Sequence, residues 1–176
     1  MATRTIRAEV LDFLSTRTVK HGESVEYGWF IFQTVVENGQ LDLETLDFHD
    51  MASFTRDFGP VERIDAEQSA VLAKEQVEPE SCALWHAALI SRSYRAGAPC
   101  AFMKRLDPLE NSMSGWYIGV VDDPLDVNEP ANLHFQSLYE LTIHDARFAP
   151  YWLLPVGFIV EFDSEIPAVT RTEAIV

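Results

Sequence analysis

The chain has 176 residues, 47% of them hydrophobic and 11% aromatic, with 28 acidic side chains against 13 basic ones and a formal net charge of −15. This is the length of one domain, or of one domain with an extension, and its apolar content is enough for a core, which excludes a wholly disordered chain. The negative surface repels phosphate backbones and anionic membranes, so neither nucleic acid nor a membrane is an expected partner; a basic protein would be attracted, and plain solubility is the alternative use of such charge.

Cys82 and Cys100 are the two cysteines and form no CxxC arrangement. A zinc site or a disulfide framework is therefore not expected, and two buried thiols in a reducing cytosol is the default. The N-terminal segment carries Glu9 and Asp12 and lacks an apolar stretch of signal-peptide length. No window approaches the roughly 18 to 20 apolar residues of a membrane span.

Taken in order, residues 3–14 read as a short amphipathic helix, with Ile6, Val10, Leu11 and Phe13 or Leu14 at helical spacing and Thr3 or Thr5 as its cap. Residues 25–37 are rich in β-branched and aromatic side chains, and Asn38-Gly39 follows at once. Both residues tolerate the positive φ of a type I′ turn, so a hairpin is expected over 25–48, with Trp29, Phe30 and Phe32 in the core. The next stretch, through Gly59-Pro60, reads as a connection with one helical turn. His49 and Asp50 adjoin each other there, but adjacent side chains diverge and no third ligand is spaced near them. A helix is expected over 65–77, started by Asp65 or Ser69, with Ile64, Val71 and Leu72 inward and Pro79 as its stop.

The run EPES at 78–81 is a candidate junction between an N-terminal α+β subdomain, 1–80, and a second α+β domain, 81–165. Ala83 to Ser93 reads as a strand. Gly97-Ala98-Pro99 turns the chain into a strand at 100–105, and a polar connection leads to another from Trp116. Gly115, just before it, suits a positive φ or a close approach. After Asp122-Asp123-Pro124 a helix is expected at about 134–143, with Phe135, Leu138, Tyr139 and Leu141 or Thr142 on its inner face; a turn at 146–153, a last strand at 158–162 and a tail at 166–176 follow. The sum is an α+β fold: an antiparallel sheet of about five or six strands with two to four helices packed on it.

No P-loop, GxGxxG, HExxH, GxSxG or EF-hand pattern occurs. His86 or His144 beside carboxylates is the remaining enzymatic option, without a companion motif. Between Leu106 and Glu165 there are eleven acids against the single base Arg147, and four of the acids lie in VDDPLDVNE. If Trp116 is exposed, it makes an anchor rimmed by steering charges; if buried, it is a core residue beside a solvated loop.

Several features of residues 83–162 recur in a fixed order: Ile90-Ser91 with Gly97, Phe102 and Met103 closing on Arg105, then Ser114-Gly115-Trp116, Gly119 followed by Asp122 and Asp123, Asn132 before Leu138, Pro150 with Leu153, and Gly157 before Phe162. In this the segment resembles immunity-protein family thirty-three of bacterial polymorphic toxin systems. The resemblance implies a small cytoplasmic protein that binds a cognate toxin and occludes its active site, with no cofactor and no metal; a basic toxin would suit the acidic surface. Partner contacts are then expected at Trp116, Asp122, Asp123, Asp126 and Glu129, with Arg105 an internal ion-pair residue that holds the 104–114 connection. A housekeeping adaptor or ligand-binding domain on the same scaffold is the alternative.

Overall fold

A computed structural model describes residues 5–51 and 53–172. It has an α+β fold with two sheets. Helix α1 (Ile6–Leu14) begins at Thr5, whose side chain accepts from the Ala8 amide, and buries Ile6, Val10 and Leu14; Thr3 lies outside the described residues.

Strands β1 (Ser24–Tyr27), β2 (Phe30–Glu37), β3 (Gln40–Leu46) and β4 (Phe54–Thr55) form an antiparallel four-stranded sheet in chain order. The expected Asn38-Gly39 hairpin is present. Glu37 pairs with Gln40, and the two turn residues have φ of 52° and 77°. The apolar run 25–37 is not one strand, however. Gly28, at φ 60°, reverses the chain so that Tyr27 pairs with Phe30 in a second two-residue turn. Continuous β-propensity across the break concealed it. Trp29, Phe30 and Phe32 are in the core, at no more than 2% exposure.

Helix α2 (Gly59–Glu75) starts six residues before the expected 65–77 span. Gly59-Pro60 opens the helix, because a proline in the first turn lacks only an amide that would be unpaired there, and Asp57 accepts from the Gly59 amide at 2.9 Å. Gln76 ends it in the left-handed region at φ 56°. The helix buries Val61, Ile64 and Gln68, and the Gln68 amide donates to the Ala149 carbonyl at 2.9 Å.

Beyond it, β5 (Ala87–Ser91), β6 (Ala101–Arg105), β7 (Met113–Val120), β8 (Leu133–Ser137), β9 (Phe158–Glu161) and β10 (Ala168–Arg171) form a six-stranded sheet ordered β10-β9-β6-β7-β5-β8. The β5–β7 pair is parallel, so the sheet is mixed. The helix expected at 134–143 is two elements. Leu133–Ser137 extends the sheet as β8, and Ser137 then caps α3 (Leu138–His144) through a capping box with Glu140. Phe135 is therefore on a strand and 58% exposed, while Leu138, Leu141 and Thr142 are buried as expected. A 3₁₀ turn (Ala146–Tyr151) leads to β9, and part of the tail pairs with β9 as β10.

One buried cluster runs from Ile6 to Phe162 and takes residues from both sides of the 78–81 junction. The Tyr139 hydroxyl also crosses it, donating to the Asp47 carbonyl. Among the described residues no helix is long and apolar enough to cross a membrane.

Candidate functional site

Strand register separates the two faces of the six-stranded sheet, since neighbouring residues point to opposite sides. Val169, Val160, Met103, Ile118, Ile90 and His134 line up across all six strands, and the central four are 0% exposed. One residue along, the row is Thr170, Ile159, Lys104, Tyr117, Leu89 and Phe135. None of these six is buried, and solvent reaches the whole row. This outer face is apolar at four of its six positions. Phe102 extends it, with its ring 5.8 Å from that of Tyr117. Gly119 makes that contact possible, because a methyl there would be 2.8 Å from the Tyr117 hydroxyl and 3.1 Å from the Phe102 ring.

Two acidic loops border the face. The β6–β7 loop, residues 106–112, folds back across β7 beside β5; Leu106, Pro108 and Leu109 with Ala87, Leu89 and Tyr117 line an open apolar pocket of about 60 Å³ there. Leu109 is 87% exposed. Asp107 and Glu110 in this loop are exposed, and neither is held by an ion pair among the described residues. The second loop, residues 121–129, holds Asp122, Asp123, Asp126 and Glu129 and no base.

Within the second loop three acids brace the backbone. Asp123 accepts from the Ser91 and Ser93 hydroxyls at 2.5 and 2.6 Å and from the Leu125 amide at 2.9 Å. Burial pushes its pKa up, but these hydrogen bonds win and hold it below the usual carboxylate range. Asp126 accepts from the Asn128 amide at 2.9 Å, and Glu129 caps the 3₁₀ turn at Pro130–Asn132 through the Ala131 amide. Asp122 is exposed, in the left-handed region at φ 55°. Asp123 also stands close enough to Tyr117 that, after burial, its charge raises the phenol pKa.

Trp116 is not an exposed anchor. It is 1% exposed on the inner face, and its indole N–H donates to the Trp152 carbonyl at 3.1 Å. The alternation that exposes Tyr117 is what buries Trp116. Arg105 is an ion-pair residue, but its partner lies outside the 104–114 connection. The guanidinium is 3.7 Å from Glu80 and donates to the Trp152 carbonyl at 3.2 Å, with Trp116 alongside at 5.3 Å. The same carbonyl accepts from the Cys82 thiol at 3.3 Å, so the residues around it pin the 78–82 segment to the 3₁₀ turn and β6.

His86 accepts from the Ala83 amide at 3.2 Å inside its own turn, and burial, then Arg105, lower its pKa. His144 is exposed and meets the Gln136 amide at 3.1 Å. Among the described residues, neither ring is hydrogen-bonded to a carboxylate. No group of three or more His, Cys, Asp or Glu among the described residues could hold a metal ion.

The outer row was missed because apolar residues on both faces of a strand hide which set is covered. Leu89, Phe102 and Tyr117 are in the sequence as apolar members of their runs, and the register alone aligns them with Phe135. No family model, curated protein or solved structure matches the chain.

Proposed function

We propose that the chain is an immunity protein that binds and neutralises a cognate, basic bacterial toxin, occluding its active site with an acidic surface. One observation carries this reading: a solvent-facing apolar row across a six-stranded sheet, bordered by two loops with six acids and no base, in a chain of net charge −15. A tight interface needs a desolvated apolar centre, and charge around it raises the rate of encounter and selects the partner. A sheet face is rigid, so little ordering entropy opposes binding. The contact is assigned to the outer face with Asp122, Asp123, Asp126 and Glu129 at its border. The resemblance of residues 83–162 to the immunity family supplies the toxin as the partner class.

The test is a tagged pull-down of the full chain from its native host, with partners identified by mass spectrometry. Recovery of one basic toxin domain in near-equal amount, and protection of cells expressing that toxin, is the supporting result. Recovery of no partner from cells that express the adjacent gene overturns the reading.

A further inference from the structure

We infer that the pocket beside Tyr117 is an anchor site for an arginine side chain of the basic partner. The inference rests on the immunity reading and goes further by naming the group that is recognised. The pocket is shallow and open, with Leu89, Leu106, Pro108 and Leu109 as its walls and the Tyr117 ring among them. Its one charged lining residue is Asp107. An arginine side chain has the same division, an apolar stem ending in a planar cation. The stem packs on the leucine walls while the guanidinium pairs with the Asp107 carboxylate and lies against the phenol ring.

The acids on either side of the face differ in how they are used. Asp123 accepts hydrogen bonds from Ser93 and Leu125, Asp126 from Asn128 and Glu129 from Ala131, whereas Asp107 and Glu110 are exposed and have no ion pair among the described residues. The Asp107 carboxylate among the lining residues of an apolar pocket favours a cation over a neutral side chain. Lys104, the base on this face, pairs with Tyr117 from the β6 side, away from β5 and the pocket. The loop that supplies the walls is held in place, since Leu106 and Gly115 are hydrogen-bonded at 2.8 Å. An aliphatic partner residue or a second copy of the chain would use the same walls without needing Asp107.

The test is an NMR titration of the full chain with N-acetyl-arginine amide, N-acetyl-lysine amide and N-acetyl-leucine amide. Saturable shifts at the Leu89, Gly115 and Tyr117 amides are expected for the arginine probe, with a dissociation constant of about 1 mM. Binding should weaken by about fivefold in Asp107→Asn, an exposed loop variant that leaves the fold intact. Equal binding of the leucine probe, no effect of Asp107→Asn, or unsaturable shifts spread over all acidic loops would each overturn the inference. The titration needs no toxin. A failed pull-down with a positive titration defeats the immunity reading alone, and the opposite outcome defeats the arginine site alone.

Discussion

The Leu106 carbonyl oxygen lies 2.2 Å from where a side chain on Gly115 would begin, and the Leu106 amide donates to the Gly115 carbonyl at 2.8 Å. The β6–β7 loop is seated on β7 at this point, and Gly115 adds a φ of 78° that a side chain disfavours. Gly115→Ala is predicted to lower the melting temperature by about 4–10 °C, from backbone strain and a clash that only loop displacement relieves. Thermal unfolding followed by circular dichroism checks this. An unchanged melting temperature would mean that the loop is not held there.

Asp145 is the clearest source of acid sensitivity. Burial raises its pKa, but hydrogen bonds from Arg147, the Gly97 amide and the Tyr94 hydroxyl outweigh it, so the folded value lies below the unfolded one. A lowered pKa stabilises the fold above the unfolded value of about 3.9, and that stability disappears as pH falls through the folded value. Asp145→Asn is expected to cost about 2 kcal/mol or more at neutral pH and progressively less in acid. Urea denaturation from pH 7 down to pH 3 measures the difference; a constant gap would contradict the assignment.

The two thiols should separate sharply. Cys82 is buried as expected, and that burial pushes its pKa up to about 11 against the opposing charge of Arg105, whereas Cys100, expected to be buried, is exposed in the turn before β6. A disulfide-exchange reagent attacks the thiolate, so one thiol per native chain is expected to react quickly and the second only after denaturation. Rapid labelling of both in the native protein would show that the 80–82 segment opens readily.

Arg105 is buried and, among the described residues, has one long ion pair and no hydrogen-bond partner at Nε. Arg105→Ala leaves a cavity where a large buried side chain stood, while the Glu80 carboxylate left behind reaches solvent. Arg105→Ala also removes a donor from the Trp152 carbonyl and support from the Trp116 ring. A loss of about 3–5 kcal/mol is predicted for Arg105→Ala from the cavity and the lost hydrogen bond, and Glu80→Gln is also predicted to destabilise, because it leaves the buried guanidinium without its counter-charge. Chemical denaturation of the two variants orders them.

Local patterns carried much of the fold. The Thr5 cap, the Asn38-Gly39 turn, and the strands around Met103, Ile118 and Val160 could all be read from short-range chemistry. What failed had a physical cause in each case. Gly28 was concealed by the β-formers around it, and Gly59-Pro60 reads equally well as a turn or as the first turn of a helix. Residues 133–143 change from strand to helix at Ser137, within a stretch whose apolar spacing fits a helix throughout. The candidate site was half legible. The acidic loops are visible as composition, but the apolar row they border is a product of register between six strands, which no single segment contains. Trp116 and Tyr117 differ by one position, and that step decides which ring meets solvent.

The decisive measurement is calorimetric titration of the full chain with the purified toxin domain recovered in the pull-down, repeated at low and high salt and with Leu89→Asp on the outer face. A 1:1 complex with nanomolar affinity or tighter, weakened by about tenfold or more in high salt and by a larger factor in Leu89→Asp, is the predicted result. Affinity unchanged by salt and by Leu89→Asp would place the contact elsewhere on the molecule and contradict an acid-bordered sheet face as the binding surface.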